Sequence, residues 1–187
     1  MVPKRMTTKE VILYVSGQLF MDKGFQATST RDIAENSGIT QPNLYHHFKT
    51  KEEIYIAVLE KLSAEIKDAL ETLVSKPTGS LINDLTEILR FLRVSHPANF
   101  SIMRHDMTYE ISEDHHYLLY RTWQASYLDP IVRLFNYYLN DNTSYTSDEL
   151  ARFFYSTIAP FIQKDNRFYK EVEAEKIVHI FVNGIYK

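Results

Sequence analysis

The 187-residue chain contains no cysteine. Disulfide frameworks, thiolate metal sites and cysteine nucleophiles are thereby excluded. No apolar run approaches the roughly 20 residues that span a bilayer, and the opening stretch, MVPKRMTTKE, lacks the apolar core of a signal peptide. A cytoplasmic protein without a membrane partner is expected. A glycine-rich phosphate loop, a nucleophile elbow and paired catalytic carboxylates are also missing. His96, His105, Asp106, His115 and His116 are metal-capable side chains, but no two of these histidines stand three or four residues apart. That separation is what aims two rings on a helix at one ion. No metal, no cofactor and no enzymatic activity is expected.

Net charge is scarce as well, at −3 for the whole chain, but it is unevenly spread. Residues 1–51 carry seven lysines and arginines against four acids, and residues 52–187 carry fourteen against twenty. A basic N-terminal end is compatible with nucleic-acid contact, and a dimer would double that footprint.

The basic end holds the most informative segment, STRDIAENSGITQPNLYHHFKTK, from Ser29 to Lys51. Thr30 is a candidate N-cap for a helix running to about Ser37, which makes Arg31 its first residue. Gly38 follows, where a left-handed backbone costs glycine little. Thr40 caps a second helix, and Pro42 sits in its first turn, where the missing amide proton has no intrahelical partner to lose. Leu44 and Phe48 share one face of it. Gln41, Asn43, His46 and His47 fall mainly on others. Paired hydrogen bonds from glutamine or asparagine suit a base edge in the major groove, and Lys49 and Lys51 suit phosphates. The spacing alone is also that of an ordinary turn between short helices in an all-α protein.

Several ordered elements resemble the TetR family of bacterial transcriptional regulators: Asp22-Lys23-Gly24-Phe25, Thr30-Arg31-Asp32-Ile33-Ala34, Ser37-Gly38-Ile39, and the run from Leu44 to Glu52. The resemblance covers about residues 8 to 60. It implies an all-α homodimer that binds a palindromic operator and releases it when a small molecule enters the C-terminal domain. It assigns base contacts to Gln41, Pro42, Asn43, Tyr45, His47 and Arg31, and phosphate contacts to Thr30 and Lys51. Tyr45 would combine ring packing with a hydroxyl-to-phosphate bond.

The remainder reads as helices. The first opens at Thr7, with capping-box spacing to Glu10, and ends before Gly24; Ile12, Val15 and Leu19 form its packing face. A fourth opens at Thr50 and runs to about Val74, with Ile54, Val58, Leu62, Ile66, Leu70 and Leu73 in register over roughly 36 Å. Lys76-Pro77-Thr78-Gly79-Ser80 breaks the chain before a fifth helix that ends near His96. A sixth spans about Ala98–Tyr109. A seventh, capped by Ser112, reaches about Asn140 but is kinked or divided at Pro130. After a loop at Asn140–Ser144, the last two run from about Ser147 to Gln163 and Phe168 to Tyr186. Lys4 and Arg5 lie in a stretch that reads as a frayed terminus or as an arm reaching DNA.

The fold expected is therefore all-α with about nine helices. A three-helix DNA-binding head over residues 1–51 precedes a regulatory and dimerisation body over residues 52–187. The body is rich in aromatics, and Met103, Tyr120, Trp123 and Tyr127 are the candidate lining for a hydrophobic or amphipathic effector of unknown identity. With the resemblance, Phe153, Phe154, Ile158, Phe161, Ile177 and Phe181 become candidates for a dimer interface; without it, their stripes fit monomeric core packing equally well. The function expected is a regulator, a repressor released by ligand from an inverted repeat in double-stranded DNA. The alternative is a partner-controlled or architectural DNA-binding protein without a small-molecule effector.

Overall fold

The computed structural model describes residues 6–95, 100–139, 144–162 and 172–185. The expectations for Lys4 and Arg5, His96, the start of the sixth helix at Ala98, the loop from Asn140, and the helix limits at Gln163, Phe168 and Tyr186 lie outside those residues. So do the side chains of Phe100 and Ile185.

The described residues are all-α, without a strand, and form two compact units. The first takes Met1–Leu62 and Ser101–Tyr120. It holds α1 (Thr8–Ala27), α2 (Thr30–Asn36), α3 (Gln41–His47), the start of α4 (Lys51–Val74), α6 (Phe100–Tyr109) and most of α7 (Glu113–Trp123). The second takes Ser63–Phe100 and Arg121–Lys187. It holds the rest of α4 with α5 (Leu81–Ser95), α8 (Asp129–Tyr138), α9 (Ser147–Ile162) and α10 (Ala174–Ile185).

In the first unit the helix starts follow local side-chain chemistry. Thr7 Oγ1 accepts from Glu10 N at 3.3 Å while Glu10 Oε2 accepts from Thr7 N at 2.7 Å, a reciprocal cap. The first helix was expected to end before Gly24, but it bends there and resumes. Gly24 has φ 83 and ψ 169, a backbone region open essentially to glycine alone. Ile12, Phe20, Ile33, Leu44, Ile54 and Tyr55 are fully buried at the centre of this unit. Leu19, expected on the packing face, is only half-buried. Phe20 takes its place because its ring meets Phe25 at 5.9 Å and Tyr55 at 5.0 Å.

In the second unit Leu85, Leu89, Ile131, Phe135, Phe154, Ile158 and Val178 are fully buried. Thr146 and Glu149 form the expected capping box at the start of α9. The expected seventh helix is divided, and the break precedes the proline. Gln124–Leu128 widens into one π-helical turn, with Asp129 N donating to Gln124 O. Pro130 has no amide to continue the α-helical ladder and its ring crowds the preceding turn, so the extra residue absorbs the conflict. Ser112 stands at the expected cap position, immediately before α7, and its carbonyl accepts from His115 N at 3.0 Å while its side chain is engaged with Glu52. Its hydroxyl donates to Glu52 Oε1 at 2.6 Å, its amide donates to the same oxygen at 3.0 Å, and His115 Nδ1 lies 2.7 Å from it.

That carboxylate has a pH signature. Partial burial of Glu52 acts to raise its pKa, but the Ser112 and His115 hydrogen bonds more than offset burial and leave it below the ordinary 4.5. A lowered folded-state pKa means stability present above about pH 4.5 and lost as pH falls through the folded value. Glu52→Gln should therefore melt about 2–4 °C below the wild type at neutral pH, as about 1 kcal/mol produces in a chain of this size. The gap should close as pH drops through the carboxylate range. Thermal melts of both proteins against pH measure it, and a pH-independent gap would contradict the assignment.

Candidate nucleic-acid interface

The second helix of the basic segment is capped one residue earlier than expected. Ser29, not Thr30, is the N-cap: its Oγ accepts from Asp32 N at 3.0 Å and Asp32 Oδ2 accepts from Ser29 N at 3.1 Å. Asp32 stands three residues after Ser29 and so completes a reciprocal box that Thr30 could not. These bonds hold the Asp32 carboxyl below its ordinary pKa. The consequence is that Thr30 becomes the first helical residue and its hydroxyl is released toward α3.

The turn between α2 and α3 forms as the residues dictate. Gly38 takes φ 68, and Ile39 N donates back to Ala34 O at 3.0 Å. Thr40 Oγ1 then accepts from Asn43 N at 3.4 Å, and Pro42 occupies the first turn of α3. Leu44 is the only residue of α3 in the buried class. Gln41, Pro42, Asn43, Tyr45 and His46 are exposed and His47 is half-buried. The face opposite Leu44 is thus polar and accessible.

Three of the candidate residues are tied together on that face. Gln41 Nε2 donates to Thr30 Oγ1 at 3.0 Å, and Thr30 Oγ1 lies 3.2 Å from the Tyr45 hydroxyl. Tyr45 remains 47% exposed, enough to present both ring and hydroxyl outward. Arg31 is exposed beside them and pairs with Glu35 at 3.0 Å. Such an exposed pair is weak and exchanges readily for a stronger anion. Lys49 is exposed at the far end of α3.

Lys51 is placed differently from the other candidates. Its Nζ donates to Phe25 O at 2.7 Å and stands 4.2 Å from the centre of the Phe25 ring. Partial burial pulls its pKa down, against the opposing pull of Asp106 and Glu110. In this conformation the ammonium closes the end of α1 and is not directed outward. The reason is that Gly24 turns the chain so that the carbonyl and ring of Phe25 face the start of α4.

Of the candidate effector residues, Met103 and Tyr127 are buried, Trp123 is half-buried and Tyr120 is 44% exposed. Met103 and Tyr120 belong to the first unit, Trp123 and Tyr127 to the second. Trp123 and Tyr127 both lie edge-on to Tyr155, whose hydroxyl donates to Tyr127 O at 2.9 Å. Of the candidate interface residues, Phe154, Ile158 and Ile177 are buried within the chain's own core, Phe161 and Phe181 are half-buried, and Phe153 is 54% exposed. Phe154 and Phe181 lie edge-on at 5.6 Å, so that stripe already packs within one chain.

Asp106 is a buried residue that the sequence reading weighed only as a metal ligand. Among the described residues no three histidines, aspartates or glutamates group closely enough to hold a metal ion. Asp106 instead accepts a backbone hydrogen bond from Phe25. Its three-residue spacing from buried Met103 on α6 is the signal that an acid sits on a packing face.

Comparison with known proteins is concentrated on this head. Residues 12–58 match the family described as bacterial regulatory proteins, tetR family. The HTH-type transcriptional activator FasR of Mycolicibacterium smegmatis is 30% identical over 99 residues, which are 51% of this chain and 40% of that protein. The HTH-type transcriptional regulator QacR of Staphylococcus aureus is 43% identical over 54 residues, 29% of either chain. The chain thus spans less than half the length of the curated relatives it matches. The crystal structure of the reduced form of E. coli NemR shares the fold over 97% of this chain and 98% of its own, at 15% identity and a TM-score of 0.77. On its capped helix-turn-helix and the family match, the head of this chain, residues 12–58, is that of the tetR family of bacterial regulatory proteins, and the fold shared with NemR extends over the rest.

Proposed function

We propose that this protein is a sequence-specific DNA-binding transcriptional regulator, a repressor that occupies an inverted repeat as a homodimer. The observation that carries the reading is the exposed network of Gln41, Thr30 and Tyr45, set on two capped helices whose opposite faces are buried. Side-chain amides and hydroxyls held on a short exposed helix suit base edges and phosphates of a major groove. Residues 1–51 form the reading part, with Arg31, Pro42, Asn43 and His47 beside the network, and residues 52–187 the regulatory and dimerising part. Lys51 reaches phosphate only by leaving Phe25.

Dimerisation brings two such faces to successive grooves about 34–36 Å apart. The exposed side of α9 and α10, with Phe153 at 54% and Ile180 at 76% exposure, supplies the contact, supported by the half-buried Phe161 and Phe181. Release follows when a hydrophobic or amphipathic small molecule enters the aromatic body near Trp123 and Tyr127. The ligand shifts the equilibrium only by binding the released state more tightly than the DNA-bound one.

Selection of duplexes from genomic fragments by the full-length protein tests the proposal. Enrichment of an inverted repeat is expected, with affinity that changes when candidate apolar ligands are added. Failure to enrich any duplex would overturn it.

A further inference from the structure

The break at Gly24 sets a problem that a distant residue solves. It turns the Phe25 amide out of the helical ladder in a buried position, where an unmade hydrogen bond is costly because water cannot replace it. Asp106 Oδ2, on α6 and 81 residues along the chain, accepts that amide at 2.8 Å.

Asp106 is only 4% exposed, and the ion pair it makes among the described residues is with His105, at 3.8 Å. Burial pushes its pKa up, opposed chiefly by the Phe25 hydrogen bond. A leucine of similar size would fill the same space without burying a charge. The carboxylate is therefore poorly explained by packing alone and well explained by the amide it receives.

Phe25 is held from its other side too. Lys51 takes its carbonyl, and its ring packs edge-on to Tyr55 at 5.3 Å. The path from there to the reading face is short. Thr28 N donates to Phe25 O at 3.4 Å, and Thr28 Oγ1 donates to Gly24 O at 2.8 Å. The next residue, Ser29, caps α2, and the one after it is Thr30 of the exposed network. Residues 101–120 accordingly group with the first unit and not with the rest of the body.

We infer that Asp106 is a positioning residue for DNA reading: by holding the Phe25 amide it fixes the end of α1, and with it the capped start of α2 and the Thr30–Gln41–Tyr45 face. This rests on the proposal that the face reads DNA. The segment joining α6 to α7 keeps other ties within this unit, through Gln26 to Glu110 and Ser112 to Glu52, so loss of the Asp106 bond alone leaves the unit assembled.

The test compares Asp106→Leu with Asp106→Asn in the full-length protein, since both remove the charge but only asparagine keeps a carbonyl acceptor. Binding is measured to the duplex that the wild type selects and to a random duplex of equal length, and hydrogen exchange is followed at the Phe25 amide. Asp106→Leu should lose about tenfold on the selected duplex, the cost of about one base contact, with no change on the random one. Its Phe25 amide should exchange faster. Asp106→Asn should stay within about threefold of the wild type on both duplexes and keep the amide protected. A variant that is merely less stable would not change the ratio between the two duplexes. Wild-type discrimination or unchanged Phe25 protection in Asp106→Leu overturns the inference, as does an asparagine variant that fails alongside leucine. Should Asp106→Leu not fold, Asp106→Ala carries the same comparison. If the wild type selects no duplex, the DNA-reading proposal falls and the inference falls with it as a statement about reading, while Phe25 exchange separately decides the hydrogen bond.

Discussion

Leu44→Ala should cost about 2–5 kcal/mol of stability and abolish DNA binding under conditions where the second unit stays folded. Leu44 is fully buried, and it is the only buried residue of α3. A helix of seven residues is far below the length that is stable by itself in water. Its position therefore depends on this one side chain, on the Thr40 cap and on the turn at Gly38. Truncation to alanine removes three carbons from a closed core that also contains Ile12, Phe20 and Ile33, and the rigid neighbours cannot collapse into the space. Thermal denaturation with hydrogen exchange along α3 would measure it. Wild-type melting and unchanged exchange would mean that the head is held by something other than this contact.

Gln41→Ala and Tyr45→Phe test the opposite face, where a large effect on affinity should come with almost none on stability. Both residues are exposed, and surface changes of this kind usually fall within about 0.5 kcal/mol of neutral. A glutamine paired with a base edge is worth about 1–3 kcal/mol of discrimination, so Gln41→Ala should weaken binding to the selected duplex by about 10- to 100-fold. Tyr45→Phe removes only a hydroxyl bonded to Thr30 and should cost about fivefold. Neither change removes a cation. The dependence of affinity on salt should therefore keep its wild-type slope, which separates loss of base reading from loss of phosphate attraction. Equilibrium binding at several salt concentrations decides it, and wild-type affinity in both variants would sink the placement of the face.

The elements legible in the sequence are those whose cause is local. Thr7 with Glu10, Thr146 with Glu149, and Gly38 followed by Thr40 and Pro42 each specify a helix end through atoms only a few bonds apart, and all form as expected. The misplaced cap at Thr30 is a near case. Ser29 and Thr30 are both competent, and Asp32 at the box position decides for Ser29. The π-turn before Pro130 is local as well, but a proline at that place equally permits a kink or a break, and packing within the second unit chose among them.

The polar side chains of the head show where local reasoning ends. Lys51 reads as a phosphate ligand because it is basic and follows α3, yet it lies against Phe25. Asp106 reads as one acid in a histidine-rich stretch, yet it is buried against an amide 81 residues away. The stripes on α9 and α10 are similar: periodicity shows that they pack, but not that Phe154, Ile158 and Ile177 turn inward while Phe153 and Ile180 turn out.

By itself, then, the sequence determined an all-α chain, the helix starts at Thr7, Thr40 and Thr146, the glycine turn and the polar composition of the α3 surface, because capping, left-handed backbone and helical periodicity act over at most about one turn. Only the tertiary structure decided which face of each helix is buried, that Phe20 displaces Leu19, and that Asp106 and Lys51 close on Phe25 from two helices. Those outcomes depend on which groups meet across the fold, and a buried amide or carbonyl is satisfied by whichever side chain packing brings within about 3 Å.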